Sequence, residues 1–247
     1  MEFCAHARAI AKREWSAYFH SPVAYVFIVI FLALAGFFTF SVGGFYEAGQ
    51  ADLRGFFFWH PWLYLILVPA VAMRLWAEER RQGTLELLFT SAVTPMQAIA
   101  GKMAAAWGFL ALALALTFPV PLTAAWLGQP DWGVVAAGYL SSLLLAGAYL
   151  ALGMFTSALT RNQVVSFVLA VVGGLFLILA GFQPVTELLA RWAPAWVVDG
   201  VAAFGFMPHV EAMQRGVLDL RDVLYFGSAT GFLLFLTQLV LANRTGR

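Results

Sequence analysis

Residues that could do chemistry are few in this 247-residue chain, and none is spaced as a reaction centre. The four histidines, His6, His20, His60 and His209, form no H-E-x-x-H pair, no G-x-S-x-G presents a nucleophile, and Gly101-Lys102 lacks the upstream glycine of a phosphate-binding loop. Cys4 is the only cysteine, which excludes an intrachain disulfide. What the chain does concentrate is charge. In "EERRQGTLELLFTS", residues 78–91, Glu78, Glu79, Arg80 and Arg81 stand side by side. Such side chains offer pairing and orientation, not bond making: an exposed ion pair contributes about 0–1 kcal/mol, while complementary charge favours encounter and register. The expectation is a protein that is not an enzyme and takes any energy it uses from a partner acting on this surface.

The elements that carry the patch are apolar. Hydrophobic residues make up 62% of the chain and charged residues 11%, against about 25% charged in a soluble domain. Windows of about 18 or more uncharged, apolar residues can cross a bilayer core of roughly 30 Å. Six stand out: 23–42, 56–76, 96–118, 132–157, 164–182 and 223–242. Residues 1–20 have no continuous apolar core ahead of their charges and are expected to stay on the protein. On a helical wheel Ile10, Ala11, Trp15, Tyr18 and Phe19 share a sector opposite Arg8, Lys12 and Arg13, with Glu14 breaking the pattern, as in a helix lying in the membrane surface. Ser21 should cap the first span and Pro22 open it. The expected fold is an all-α membrane protein, one domain over 1–247, with six transmembrane helices behind an N-terminal amphipathic interfacial helix.

With six spans both termini share a side, and Lys and Arg favour the cytoplasm. The terminal side holds Arg8, Lys12, Arg13, Arg74, Arg80, Arg81, Lys102, Arg161, Arg244 and Arg247, ten of fourteen, so both termini are expected inside. Residues 194–208 could form a seventh span without changing that count. Fifteen residues between prolines are short for a crossing, however, and Asp199 would cost about 2.5–3.5 kcal/mol near the bilayer centre. Segment 183–222 is therefore expected outside, as short re-entrant helices. No span has an ionisable group near its middle, which disfavours an ion-coupled transporter, and edge-placed histidines disfavour a membrane haem. Arg74 and Lys102 near cytoplasmic ends, like His60 and Asp222 near external ends, read as interfacial or snorkelling side chains.

The connection 77–94 is the long cytoplasmic one. Gly83 should end the helix descending from the second span, and Thr84 should cap a short helix with Leu85, Leu88 and Phe89 on one face. Thr94, Pro95 and Gln97 should then form a capping box with proline at the first helical position. A helix of about eight residues is marginal alone in water, so it needs packing against the bilayer, its own chain or a second protein.

"EERRQGTLELLFTSAVTPMQAIAGK" resembles the cytoplasmic stretch of ABC-2-type transporter permeases, and "KREWSAYFHSPVAYV" resembles their N-terminal surface helix. "MPHVEAMQRGVLDLRDVLYF" resembles the segment before the last span in the subgroup named for the gliding-motility-associated permease. Ala92 departs from the pattern, which leads one to expect proline there. The resemblance implies that Gly83, Thr84, Leu85, Glu86, Leu87 and Leu88 form a coupling helix seated in a groove of a separate cytoplasmic ATPase subunit. Glu78, Glu79, Arg80 and Arg81 would flank it, with Arg13 and Trp15 of the interfacial helix beside the same groove. It further implies an exporter permease of the bacterial inner membrane, surrounded by lipid. Such a subunit has no cofactor of its own, ATP and magnesium being held by the partner, and it works with a second permease copy, identical or related; no nucleic acid is involved. A membrane anchor or force-transmitting subunit of an envelope or motility complex would retain the same helix and is the other reading.

Weaker features are Pro119 and Pro121, which should end or kink the third span. Gly147 and Gly153, or Gly173 and Gly174, could allow close approach at a dimer interface. Arg215, Asp219, Arg221 and Asp222 could pair at the external surface or form a solvated run.

Overall fold

The computed structural model describes residues 2–47, 49, 51–85 and 94–245, and among them there are helices and no strand. The first helix, α1 (Glu2–Phe19), leads into α2 (Pro22–Phe37), which continues through a π turn, Phe38–Val42. Ser21 accepts from the Val23 amide at 3.3 Å and Pro22 lies in the first turn, so local chemistry sets this start as expected. Then follow α3 (Arg54–Phe58), α4 (His60–Ala72) and α5 (Arg74–Gln82). After α5 and the connection that follows it come α6 (Pro95–Ala115), α7 (Pro119–Leu127), α8 (Trp132–Leu159) and α9 (Gln163–Gly181). Three short helices, α10 (Gln183–Leu189), α11 (Ala195–Ala203) and α12 (Phe206–Gln214), precede α13 (Leu220–Thr245).

Among the described residues five helical runs are long and apolar enough to cross a membrane: Pro22–Val42, Pro95–Leu127, Trp132–Leu159, Gln163–Gly181 and Leu220–Asn243. The chain is thus a multi-pass helical membrane protein. The window expected as the second span is instead divided among α3, α4 and α5, with breaks at Trp59 and Met73. At Pro119 and Pro121 the third span breaks and does not end, the second of the two expectations for these prolines. The helix stops at Ala115 and resumes at Pro119, so the prolines open α7 and the helical run reaches Leu127. At 33 residues this run would span about 50 Å if straight, longer than a bilayer core of roughly 30 Å, and its break at 116–118 lets the two parts take different directions.

Helix α8 is the axis of the molecule: it packs against α4, α6, α9, α12 and α13, and 67% of its apolar window is buried, against 11% for α13. Its small residues make this possible. Gly147 faces Trp107 and Gly153 lies against Ala72, while across the α8–α9 contact Gly173 meets Leu152 and a Cβ on Gly174 would stand 2.6 Å from Tyr149. The glycines expected to serve a dimer interface are therefore consumed inside the chain.

Helix α11 has nine residues and buries none of them, and the chain breaks again before α12, so 194–208 forms no helix long enough to cross a membrane. Helix α12 differs: Phe206, Met207, Val210 and Met213 are buried, and it packs against α8 and α9.

Candidate functional site

Helix α1 lies along the first half of α6. Ile10 meets Gly101, where a Cβ would stand 2.8 Å from Ile10 Cβ, and Trp15 meets Gly108, at 2.9 Å on the same construction. Tyr18 stacks on Phe109 with ring centroids 4.9 Å apart. Ile10, Glu14 and Tyr18 recur at i, i+4 and i+8, so one stripe of α1 carries all three toward the bundle. Glu14, the residue that interrupts the apolar sector, is thereby turned inward.

It meets Lys102. The Lys102 ammonium lies 3.2 Å from Glu14 Oε1 on α1 and 2.9 Å from Glu79 Oε1 on α5, and 5.1 Å from the centroid of the Trp76 ring. The Lys102 side chain is only 3% exposed, so it does not snorkel toward water as expected. A buried ammonium is tolerated when charge and hydrogen bonds compensate its lost hydration, and two carboxylates from two other helices do so. Arg13 completes the cluster from the outside, its Nη2 lying 2.8 Å from Glu14 Oε1 and 4.0 Å from Glu79 Oε1. Burial pushes the Glu14 carboxyl up, but the Lys102 charge and the hydrogen bonds from Arg13 and Lys102 outweigh it and hold the group below its ordinary value of 4.5.

The position of Glu79 depends on α8. The Ser157 hydroxyl donates to the Met73 carbonyl at 2.8 Å and accepts from the Trp76 and Ala77 amides, each at 3.0 Å. It occupies the place where the Ala77 amide would meet the Met73 carbonyl, and a side chain inserted into the helical ladder is a physical cause of the break between α4 and α5. Arg80 Nη1 donates to the Ala158 carbonyl at 2.6 Å, near the C-terminal end of α8, where a cation is favoured. Gly83 then ends α5 at φ 72°, a conformation glycine adopts freely, with its amide on the Glu79 carbonyl. The Thr94 box also forms as expected, Gln97 N to Thr94 Oγ1 at 3.3 Å and Thr94 N to Gln97 Oε1 at 2.8 Å.

Among the candidate coupling residues, Glu79 and Arg80 are thus engaged within the chain. Glu78 accepts from Gln82 at 3.2 Å along α5, and Arg81 is exposed. The Thr84 hydroxyl donates back to the Glu79 carbonyl at 3.3 Å, closing α5, and Leu85 turns inward at 8% exposure. Glu86, Leu87 and Leu88, with the rest of 86–93, lie outside the described residues. Arg13 stands beside α5, whereas Trp15 packs on α6. Between α1 and α5 runs a cleft of about 280 Å³ walled by Glu78, Glu79, Arg74 and Lys102. Among the described residues no group of three or more His, Cys, Asp or Glu is placed to hold a metal ion.

Where α13 begins, Asp222 pairs with His209 and not with an arginine: Oδ1 is 2.7 Å from His209 Nδ1. The His209 ring stacks on Tyr225 at 3.8 Å, and the Tyr225 hydroxyl donates to the Phe204 carbonyl at 2.6 Å. Asp219 accepts the Arg221 amide at 3.0 Å, a local turn contact. No protein-family model matches this chain, and no curated protein matches it either.

Proposed function

We propose that this chain is the six-span permease subunit of an ABC-2-type exporter, with both termini in the cytoplasm and a separate ATPase acting on the segment after Gly83. In that arrangement α4 with α3 and α5 makes the second crossing. The observation that carries the reading is the bridge from Glu14 through Lys102 to Glu79, which joins α1, α6 and α5 four residues before Gly83. A force applied beyond Gly83 enters α5, and the buried ion cluster passes it to α1 and α6 while Ser157 and Arg80 pass it to α8. A lever of this kind suits a permease that has no nucleotide site of its own and works against a second copy. The inward turn of Leu85 leaves residues 86–88 as the contact with the partner.

The test is a crosslink. Leu87→Cys in a Cys4→Ser background, co-expressed with an ATPase carrying single cysteines in its groove, should give a crosslinked species whose yield changes with ATP. An intact complex with no crosslink at any groove position would rule the assignment out. ATP-dependent movement of substrate in reconstituted vesicles separates an exporter from a force-transmitting anchor, since the anchor crosslinks without transporting.

A further inference from the structure

Beside the charged cleft lies a second cavity of opposite character. It is a groove of about 160 Å³ at the junction of α1, α2, α4 and α6. Val26, Ile30, Leu67, Ala70 and Phe109 line it, and Tyr18 and Arg74 line it too. Val26 is 54% exposed and Ile30 42%, so the groove opens on the outer, apolar face of α2. About 150 Å³ of apolar space holds a benzene-sized ligand, so this groove accepts a stretch of hydrocarbon chain, not a whole lipid.

The polar members give it a head as well as a slot. The Arg74 guanidinium lies 5.6 Å from the centroid of the Tyr18 ring, which fixes it in place. Among the described residues no carboxylate is within ion-pair distance of Arg74. The neighbouring acids are already engaged, Glu14 and Glu79 by Lys102 and Glu78 by Gln82. Among the described residues the buried Tyr18 hydroxyl has no partner, and Tyr18 lines the groove beside Arg74. An arginine fork with a spare hydroxyl beside a hydrocarbon slot matches a phosphate diester attached to an acyl chain. Free phosphate would leave the slot empty, and a zwitterionic headgroup brings a cation that Arg74 repels.

We propose that this groove binds one anionic phospholipid, its phosphate on Arg74 and part of one acyl chain between α2 and α4. The proposal stands apart from the ATPase reading, since it concerns a different surface and a different ligand.

The full chain, purified in detergent, would be titrated with phosphatidylglycerol or phosphatidylcholine of the same chains, and bound lipid counted by native mass spectrometry. The wild type should prefer phosphatidylglycerol by about fivefold, the effect of one basic side chain near anionic lipid. Arg74→Gln should abolish that preference and Arg74→Lys should keep most of it, while Arg161→Gln, at an exposed loop, should leave it unchanged. Ala70→Phe, which fills the slot, should weaken binding of both lipids. Should Arg74→Gln or Ala70→Phe not fold, Arg74→Met, which removes the charge, and Val26→Trp, which places a ring in the groove, read the same two features. An undiminished preference in Arg74→Gln, undiminished binding in both slot-filling variants, or displacement of the lipid by inorganic phosphate alone would overturn the proposal.

Discussion

At one end of the bundle Lys102 gathers carboxylates from α1 and α5 and lies over Trp76; at the other, where Gly216 packs on Val134 near the start of α8, His209 on α12 holds Asp222 on α13. Both contacts tie separate helices, but they differ in how much depends on them. The first is a buried ammonium whose desolvation is met only if two other helices are in place. The second is one imidazole–carboxylate contact backed by the Tyr225 stack. A cluster of the first kind moves as a unit or breaks at large cost, whereas a single contact can be remade locally. In the proposed orientation, that difference suits an inner end that carries load and an outer end that only keeps a short helix docked.

The sharpest way to break the comparison is Lys102→Met. It leaves Glu14 and Glu79 facing one another with only the exposed Arg13 beside them, and should cost about 3–5 kcal/mol in chemical denaturation in bicelles. Adding Glu14→Gln and Glu79→Gln should restore most of the loss, because replacing the whole set removes the uncompensated charge. A Lys102→Met cost no larger than that of the outer-end variant below would show the two ends to be equivalent.

Ser157→Ala comes next, with an expected cost of about 1–3 kcal/mol, since the Trp76 and Ala77 amides and the Met73 carbonyl all lose their partner. If the Ala77 amide instead closes on the Met73 carbonyl, the break straightens and Glu79 moves. Spin labels on α5 and α6 would then report a longer separation.

Acid should sharpen the contrast further. Because the folded protein holds the Glu14 carboxyl below 4.5, its contribution is fully present above that value and is lost as pH falls through the lower folded-state value. Denaturation midpoints should thus be flat in this contribution above pH 4.5 and fall beneath it, and Glu14→Gln should flatten that part of the fall. The smallest effect belongs to Asp222→Asn, about 1 kcal/mol or less, because the amide keeps a hydrogen-bonding oxygen for His209.

Part of this arrangement is legible in the residues. Glu14 sits midway between Ile10 and Tyr18 at helical spacing, and an acid in the centre of an apolar stripe demands a partner. Which partner could not be read, because Lys102 is 88 residues away and nothing local distinguishes it from a lysine reaching for water. Ser157 gives even less signal, a hydroxyl among apolar residues whose role depends on another helix breaking beside it. Asp222 looked like one member of a charge run with Arg215, Asp219 and Arg221, yet its partner His209 lies thirteen residues back on a separate helix.

The sequence by itself determined three of the helix boundaries. Ser21 with Pro22, Gly83, and Thr94 with Pro95 and Gln97 each act within a few residues, and backbone conformation and capping are short-range. It also determined that the chain crosses a membrane, since that depends on summed apolarity. Only the tertiary structure decided that the second apolar window would break at Met73, that the glycines of α8 and α9 would be used internally, and that Lys102 would turn inward between Glu14 and Glu79. Those outcomes depend on which surfaces meet across the bundle, and a buried charge or a close helix contact has no fixed spacing along the chain.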